Sequence, residues 1–260
     1  MSRHWMLVTL FLLIGPVYAL PVTQKLLVDG VWRTALVYPG TAAQQTPSPL
    51  VFVFHGFTGN ARGMAKIANI QELWPEATVV YPQGLRVYSR RLRRMVPAWQ
   101  TSAELNNDRD IHFIDRLLEE LRQEYKVDDW RIYAAGSSNG AMFSYLLFIM
   151  RPDAFAAFGI VAGSAEDIQH ATRPRPVLII HGTKDESVKF SAAVKARDFI
   201  RCLNGCGEET TYWDAGYVSY TPCATGQPVI WHKHPDGHIW PQDASAHLVR
   251  FFQEHTRPDE

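Results

Sequence analysis

Residues 136–140 read Gly136-Ser137-Ser138-Asn139-Gly140. An apolar run suited to a strand precedes them (Arg131 to Ala135), and a run suited to a helix follows (Ala141 to Phe148). A serine between glycines at this spacing marks a sharp strand-to-helix turn. Crowding in that turn demands small residues two positions to either side and holds the hydroxyl out at the end of a sheet. The pattern is weak as five letters and gains meaning from its flanks. It points to a nucleophilic serine and acyl transfer.

A serine hydroxyl attacks poorly unless a base takes its proton and a buried carboxylate orients that base. Where this turn is used, the acid and then the histidine follow the serine along the chain. Asp185 lies just past the apolar run Val177 to Ile180, in His181-Gly182-Thr183-Lys184-Asp185. A carboxylate beyond a strand's C-terminal end shares the rim of the sheet with the serine turn. Asp185 is therefore the candidate acid, with Glu186 as the fallback and a plain surface turn as the competing reading. His238, in Pro235-Asp236-Gly237-His238-Ile239-Trp240-Pro241, is the candidate base; a solvated loop histidine is its bland alternative. Attack on a carbonyl also builds an oxyanion that needs backbone N–H donors. Asn139, directly after the serine at a helix N-terminus, is one candidate. Phe57, in His55-Gly56-Phe57-Thr58-Gly59-Asn60, is the other.

Other groups compete for attention. His232, His234, Asp236 and His238 fall within seven residues and are all of metal-ligand type. No His-Glu-x-x-His or comparable helical pattern accompanies them, so no metal is expected. The arginines at 86, 90, 91, 93 and 94 read as a solvated face, with a cleft rim that attracts carboxylate-bearing substrates as the alternative. Trp99 and Trp240 are placed near the cleft, where either could stack on an aromatic or sugar group; packing alone would also account for them.

The elements that must position these groups alternate. A hairpin is expected around Asp29-Gly30, joining Gln24 to Val28 with Val31 to Val37. Leu50 to Phe54 is continuously apolar, the mark of a strand buried on both faces. A helix is expected over 61–73, a strand over 78–81, and a long irregular segment over 85–107. An amphipathic helix over 108–125 carries Ile111, Ile114, Leu117, Leu118 and Leu121 on one face. Strands at 156–162, 176–180 and 228–232 and helices at 190–203 and 243–254 complete the pattern. Such alternation predicts an α/β fold, a mostly parallel sheet with helices on both faces and antiparallel strands at one edge. No linker or repeat divides it, so residues 20–260 are expected to form one catalytic domain.

Composition narrows the class. Over 260 residues, 26 Lys and Arg balance 26 Asp and Glu, which argues against a nucleic-acid surface. Ser2-Arg3-His4, the apolar stretch Trp5 to Ile14 and the small-residue pattern Val17-Tyr18-Ala19 read as a signal peptide over 1–19. The apolar stretch is short for a membrane anchor and Gly15-Pro16 ends it. The expectation is a secreted or periplasmic protein with no membrane anchor after cleavage. Export permits disulfides. Three cysteines allow one bridge and one leftover thiol: Cys206–Cys223 is preferred, and Cys202–Cys206 is the rival.

His55-Gly56, the segment from Asn107-Asp108 to Leu121, Gly136 to Met142, Asn204-Gly205-Cys206 and Gly237-His238-Ile239-Trp240-Pro241 together resemble one family. It is the secreted polyhydroxybutyrate depolymerase and feruloyl esterase-like group of carbohydrate esterase family 1. The resemblance runs from about residue 30 to the C-terminus. It implies an α/β-hydrolase fold, no cofactor, and hydrolysis of carboxylic esters through an acyl-enzyme. It carries Ser138, Asp185 and His238 over as the triad and supports the Cys206–Cys223 bridge. On that reading His55, Trp99 and Trp240 are assigned to the substrate cleft. Substrates implied are hydroxyalkanoate oligomers or polymers, feruloyl or acetyl esters of polysaccharide, and small synthetic esters. Lys189, where such proteins often have proline, and the arginine-rich insert depart from the pattern. The chain ends soon after its last helix, which favours soluble esters or oligomers over a polymer and leaves little room for a peptidase lid domain. The alternative is a non-catalytic binding protein on the same fold.

Overall fold

A computed structural model describes residues 20–257. The expected signal peptide, residues 1–19, lies outside the described residues. Strands β1 (Val22–Val28) and β2 (Val31–Tyr38) form the antiparallel hairpin expected from Asp29-Gly30. Both turn residues have positive φ, 48° and 76°, as a tight two-residue hairpin turn requires. Strand β3 (Ser48–Phe54) is buried along its whole length. Its alternate residues serve opposite faces: Leu50, Phe52 and Phe54 join one hydrophobic cluster, Val51 and Val53 the other. That division is why the segment had to be continuously apolar.

The helix expected over 61–73 is two helices, α1 (Ala61–Ala68) and α2 (Ile70–Leu73). Asn69 between them is left-handed, with φ 47°, a conformation asparagine tolerates better than most residues. Strand β4 (Thr78–Pro82) follows. The segment expected to be irregular contains a separate two-stranded hairpin, β5 (Arg86–Ser89) and β6 (Arg94–Pro97). Helix α3 (Arg109–Glu124), strand β7 (Val127–Ser137) and helix α4 (Asn139–Met150) come next. Then follow β8 (Ala157–Val161), β9 (Val177–Gly182) and α5 (Phe190–Leu203). The chain closes with β10 (Thr210–Asp214), β11 (Tyr217–Tyr220), β12 (Val229–His234) and α6 (Ala244–Gln253).

The main sheet has ten strands in the order β1-β2-β4-β3-β7-β8-β9-β12-β11-β10. From β4 to β12 neighbouring strands run parallel. Antiparallel strands lie at both edges rather than one, because the unforeseen β10–β11 hairpin pairs onto β12. Helices α3, α4 and α5 pack on one face through residues such as Leu117, Phe143 and Ile200. Helices α1, α2 and α6 cover the other through Met64, Ile70 and Phe252. This is the mostly parallel sheet with helices on both faces expected from the alternation, and it is the α/β-hydrolase architecture that the resemblance implies. Its consequence for chemistry is geometric: the exits of β3, β7, β9 and β12 all open on one rim of the sheet.

A disulfide joins Cys206 and Cys223, and Cys202 is free and exposed. The bridge ties the end of α5 to the segment that leads into β12. Beside it, Asn204 Nδ2 donates to the carbonyls of Arg175 (2.8 Å) and Gln227 (2.9 Å). Among the described residues no helix is long and apolar enough to cross a membrane. With 17 residues of sequence separation, replacing both bridged cysteines by serine should lower unfolding free energy by roughly 3 kcal/mol. Denaturant melts measure this; an unchanged midpoint would contradict the role given to the bridge.

Candidate active site

Ser138 sits between β7 and α4 at φ 54° and ψ −118°, outside the usual helical and extended regions. Its amide donates to the Val161 carbonyl at 2.9 Å and its carbonyl accepts from Met142 N–H at 3.0 Å. The flanking glycines are required by space. A Cβ on Gly136 would lie 2.3 Å from the carbonyl of Gly140, and one on Gly140 would lie 2.3 Å from the carbonyl oxygen of Phe54. The turn is wedged against the end of β3 and admits no side chain on that side.

Asp185 and His238 meet on the same rim. His238 Nδ1 donates to Asp185 Oδ2 at 2.7 Å. The other carboxylate oxygen accepts from the Ser187 and Val188 amides, each at 2.8 Å. Burial is the largest influence on this carboxyl and would raise its pKa. The Val188 amide, the bond and charge of His238, and the Ser187 amide together outweigh it and hold Asp185 below the ordinary carboxylate value. Glu186, the fallback acid, is exposed and makes no such bond. Ser138 and His238 line the same two cavities. Among the described residues no hydrogen bond joins the serine hydroxyl directly to the ring.

The Phe57 and Asn139 amides have no acceptor among the described residues; for Asn139 this follows from its place in the first turn of α4. The Asn139 side chain is fully engaged instead. Its Oδ1 accepts from Trp99 N–H at 2.8 Å and its Nδ2 donates to the Trp99 carbonyl at 3.0 Å. Trp99 is buried rather than at the cleft. It stacks on Phe143 at 5.1 Å and its indole N–H donates to the His55 carbonyl at 3.0 Å.

His55 is also buried, only 1% exposed. Its Nδ1 donates to the Gly56 carbonyl at 2.8 Å, while Nε2 accepts from Gly84 N–H (3.0 Å) and the Gln83 amide (3.2 Å). These contacts require the neutral tautomer with the proton on Nδ1. Burial is the main cause of a pKa below the ordinary histidine value. Trp99 and His55 therefore brace the loop that presents Phe57, and His55 also lines the smaller cavity. Trp240 does line the smaller cavity, and its indole N–H donates to Ser245 Oγ at 3.0 Å.

His181 escaped the sequence reading. It is fully buried, its Nε2 donates to the Val188 carbonyl at 2.9 Å and lies 3.4 Å from Asp185 Oδ2. It thereby fixes the loop that carries the carboxylate. A histidine closing an apolar strand four residues before a candidate acid was the available signal. Among the described residues no three His, Cys, Asp or Glu side chains are grouped to hold a metal. His232 bonds the Gly216 carbonyl at 2.7 Å and stacks on Tyr217.

Two cavities diverge from Ser138 and His238. One, of about 360 Å³, is walled by Phe57, Met64, Ile67, Ile239 and Trp240. The other, of about 880 Å³, lies under the β5–β6 hairpin and is lined by Arg91, Leu92, Arg94 and Glu186. A hydroxyl on a strained turn, a carboxylate-bound imidazole and two free amides beside them have the parts needed for acyl transfer.

A family model described as phospholipase/carboxylesterase matches residues 40–219. A bifunctional acetylxylan esterase/xylanase of Neocallimastix patriciarum is 25% identical over 219 residues, 79% of this chain and 30% of that protein. A probable feruloyl esterase C of Aspergillus niger is 25% identical over 179 residues, 66% of this chain and 61% of that protein. The chain thus spans less than two thirds of the length of these curated relatives. Among solved structures, an acetyl xylan esterase from Aspergillus awamori superimposes with TM-score 0.68 at 15% identity, covering 89% of this chain and 99% of that one. A ferulic acid esterase from Anaeromyces mucronatus gives TM-score 0.62 at 19% identity, covering 93% and 92%. At these identities the structural likeness shows the fold.

Histidines 55, 181, 234 and 255 all have pKa values lowered first by burial. In the unfolded chain they take up protons near pH 6.5, where the folded chain does not. Unfolding then binds protons, so stability should fall as pH falls below about 6.5. The lowered Asp185 carboxyl acts in a separate window: its contribution is present above the ordinary carboxylate range and lost only as pH drops through its folded pKa. Melting temperatures measured between pH 8 and 5.5 should decline; a flat or rising profile would contradict the neutral, buried assignment.

Proposed function

The chain belongs to the phospholipase/carboxylesterase family, and from that premise we propose that it is a secreted serine esterase acting through Ser138, His238 and Asp185. His238 Nε2 takes the Ser138 proton as Oγ bonds the ester carbonyl carbon. The Phe57 and Asn139 amides hold the developing oxyanion. The carbon–oxygen bond to the alcohol breaks, the imidazolium returns its proton to the leaving alcohol, and an acyl-serine remains. Water then adds by the same base, and the acid leaves. Asp185, held ionised, keeps the imidazole in the tautomer with Nε2 free. Contacts between serine and base often tighten only when substrate enters.

The observation that carries this reading is the 2.7 Å bond between His238 and Asp185 at the rim where the strained Ser138 turn emerges. Buried Trp99 and His55 supply the rigidity that an oxyanion loop needs. Export is supported by the N-terminal pattern over 1–19 and by the disulfide. The names of the relatives favour acetyl or feruloyl esters of polysaccharide, and the motif resemblance adds hydroxyalkanoate esters.

An ester panel of methyl ferulate, acetylated xylan and hydroxybutyrate oligomers identifies the acyl group. On whichever is cleaved, Ser138→Ala should reduce kcat by about 10⁶-fold while the melting temperature is kept. Undiminished turnover in that variant would rule the mechanism out.

A further inference from the structure

The β5–β6 hairpin carries Arg86, Arg90, Arg91, Arg93 and Arg94 within nine residues, and no acidic residue lies between Glu76 and Glu104. Positive and negative residues balance over the whole chain, so this is a local concentration and not a global excess. Elsewhere Arg122, Arg131, Arg151 and Arg250 each pair with a carboxylate. On the hairpin Arg86 donates to the Met95 carbonyl. Among the described residues the other four hairpin arginines have neither an ion pair nor a side-chain hydrogen bond. Arg91 and Arg94 are exposed, and they line the larger cavity together with Ser138, Asn139 and His238. Glu186 is the one acidic residue on that cavity's wall; Asp185 is turned away onto His238.

We propose that Arg91 and Arg94 form a carboxylate-binding subsite, and that the preferred esters carry a free carboxylate on the arm that enters the larger cavity. The other arm enters the smaller, apolar cavity. This rests on the esterase reading above. Two guanidiniums set against Glu186 leave a single net positive charge, which suits a monoanion better than a dianionic phosphate. The planar guanidinium matches a carboxylate in two-point geometry. Two unpaired arginines opposite an open cavity also raise the local concentration of anions, an effect that salt weakens.

The test compares matched esters that differ only in carboxylate against carboxamide. One pair is the 4-nitrophenyl ester of adipic acid and that of adipamic acid, which places the charge on the acyl side. The other is the butanoate of 4-(carboxymethyl)phenol and that of 4-(carbamoylmethyl)phenol, which places it on the alcohol side. In at least one pair, kcat/KM for the carboxylate should exceed that for the carboxamide by about 2- to 30-fold at low ionic strength. The ratio should fall towards one in 1 M salt. It should fall to about one in the double variant R91Q/R94Q and stay above one in R91K/R94K. A ratio near one for both pairs in the unaltered protein, or a preference that survives R91Q/R94Q, would overturn the subsite while leaving the esterase reading intact. Turnover of neither member of either pair would also overturn the subsite, while cleavage of methyl ferulate, acetylated xylan or hydroxybutyrate oligomers decides the esterase reading separately.

Discussion

The steric wedge around Gly136 and Gly140 is the constraint on which the rest of the site depends. A strand must turn into a helix against the end of β3 with carbonyl groups 2.3 Å from where a methyl would sit. Only glycine fits at either position, and the serine between them is left at φ 54°. Such backbone conformations cost on the order of 1–3 kcal/mol and persist where the surroundings impose them. Here the imposing surroundings are a parallel sheet buried on both faces by two separate helix layers. The sheet brings three further strand ends to the same rim, so one packing solution places a hydroxyl, a carboxylate, an imidazole and two free amides together.

Electrostatics then divides the buried titratable groups into two kinds. Asp185 is kept ionised by amides and by His238 despite its burial. His55 and His181 are kept neutral by burial, and His55 Nε2, which accepts from Gly84 N–H, also needs the uncharged ring. Around the His238–Asp185 pair, the buried supports His55 and His181 are thus neutral. The larger cavity departs from this economy of charge. Its arginine wall is exposed and unpaired, consistent with a surface that meets solvent and substrate.

How much was legible in the sequence depends on whether a local pattern or a distant partner decides each feature. Gly136 to Gly140 announced the turn because the steric demand is local. Asp185 and His238 could be chosen because each follows an apolar strand, and strand ends share a rim in this architecture. The β5–β6 hairpin was hidden because its arginine-rich tip interrupts the alternation of Val87, Met95 and Val96, and it pairs with nothing but itself. The β10–β11 hairpin was hidden because β10 is largely exposed and carries no apolar stripe. Trp99 and His55 were placed near the chemistry, yet no spacing rule could reveal that they bond to Asn139, Gly84 and each other behind the loop. Their partners lie up to 44 residues away. Residues 1–19 bear on localisation only through their pattern.

Covalent labelling at a single residue tests the central claim most directly. A fluorophosphonate loses fluoride as a serine Oγ bonds its phosphorus, and the stable adduct forms rapidly only when a base activates the serine and an oxyanion site holds the phosphoryl oxygen. The account predicts rapid stoichiometric labelling, with the adduct mapped by mass spectrometry to Ser138 and lost in His238→Ala. An unlabelled Ser138 in the folded protein, or labelling indifferent to His238, would contradict it.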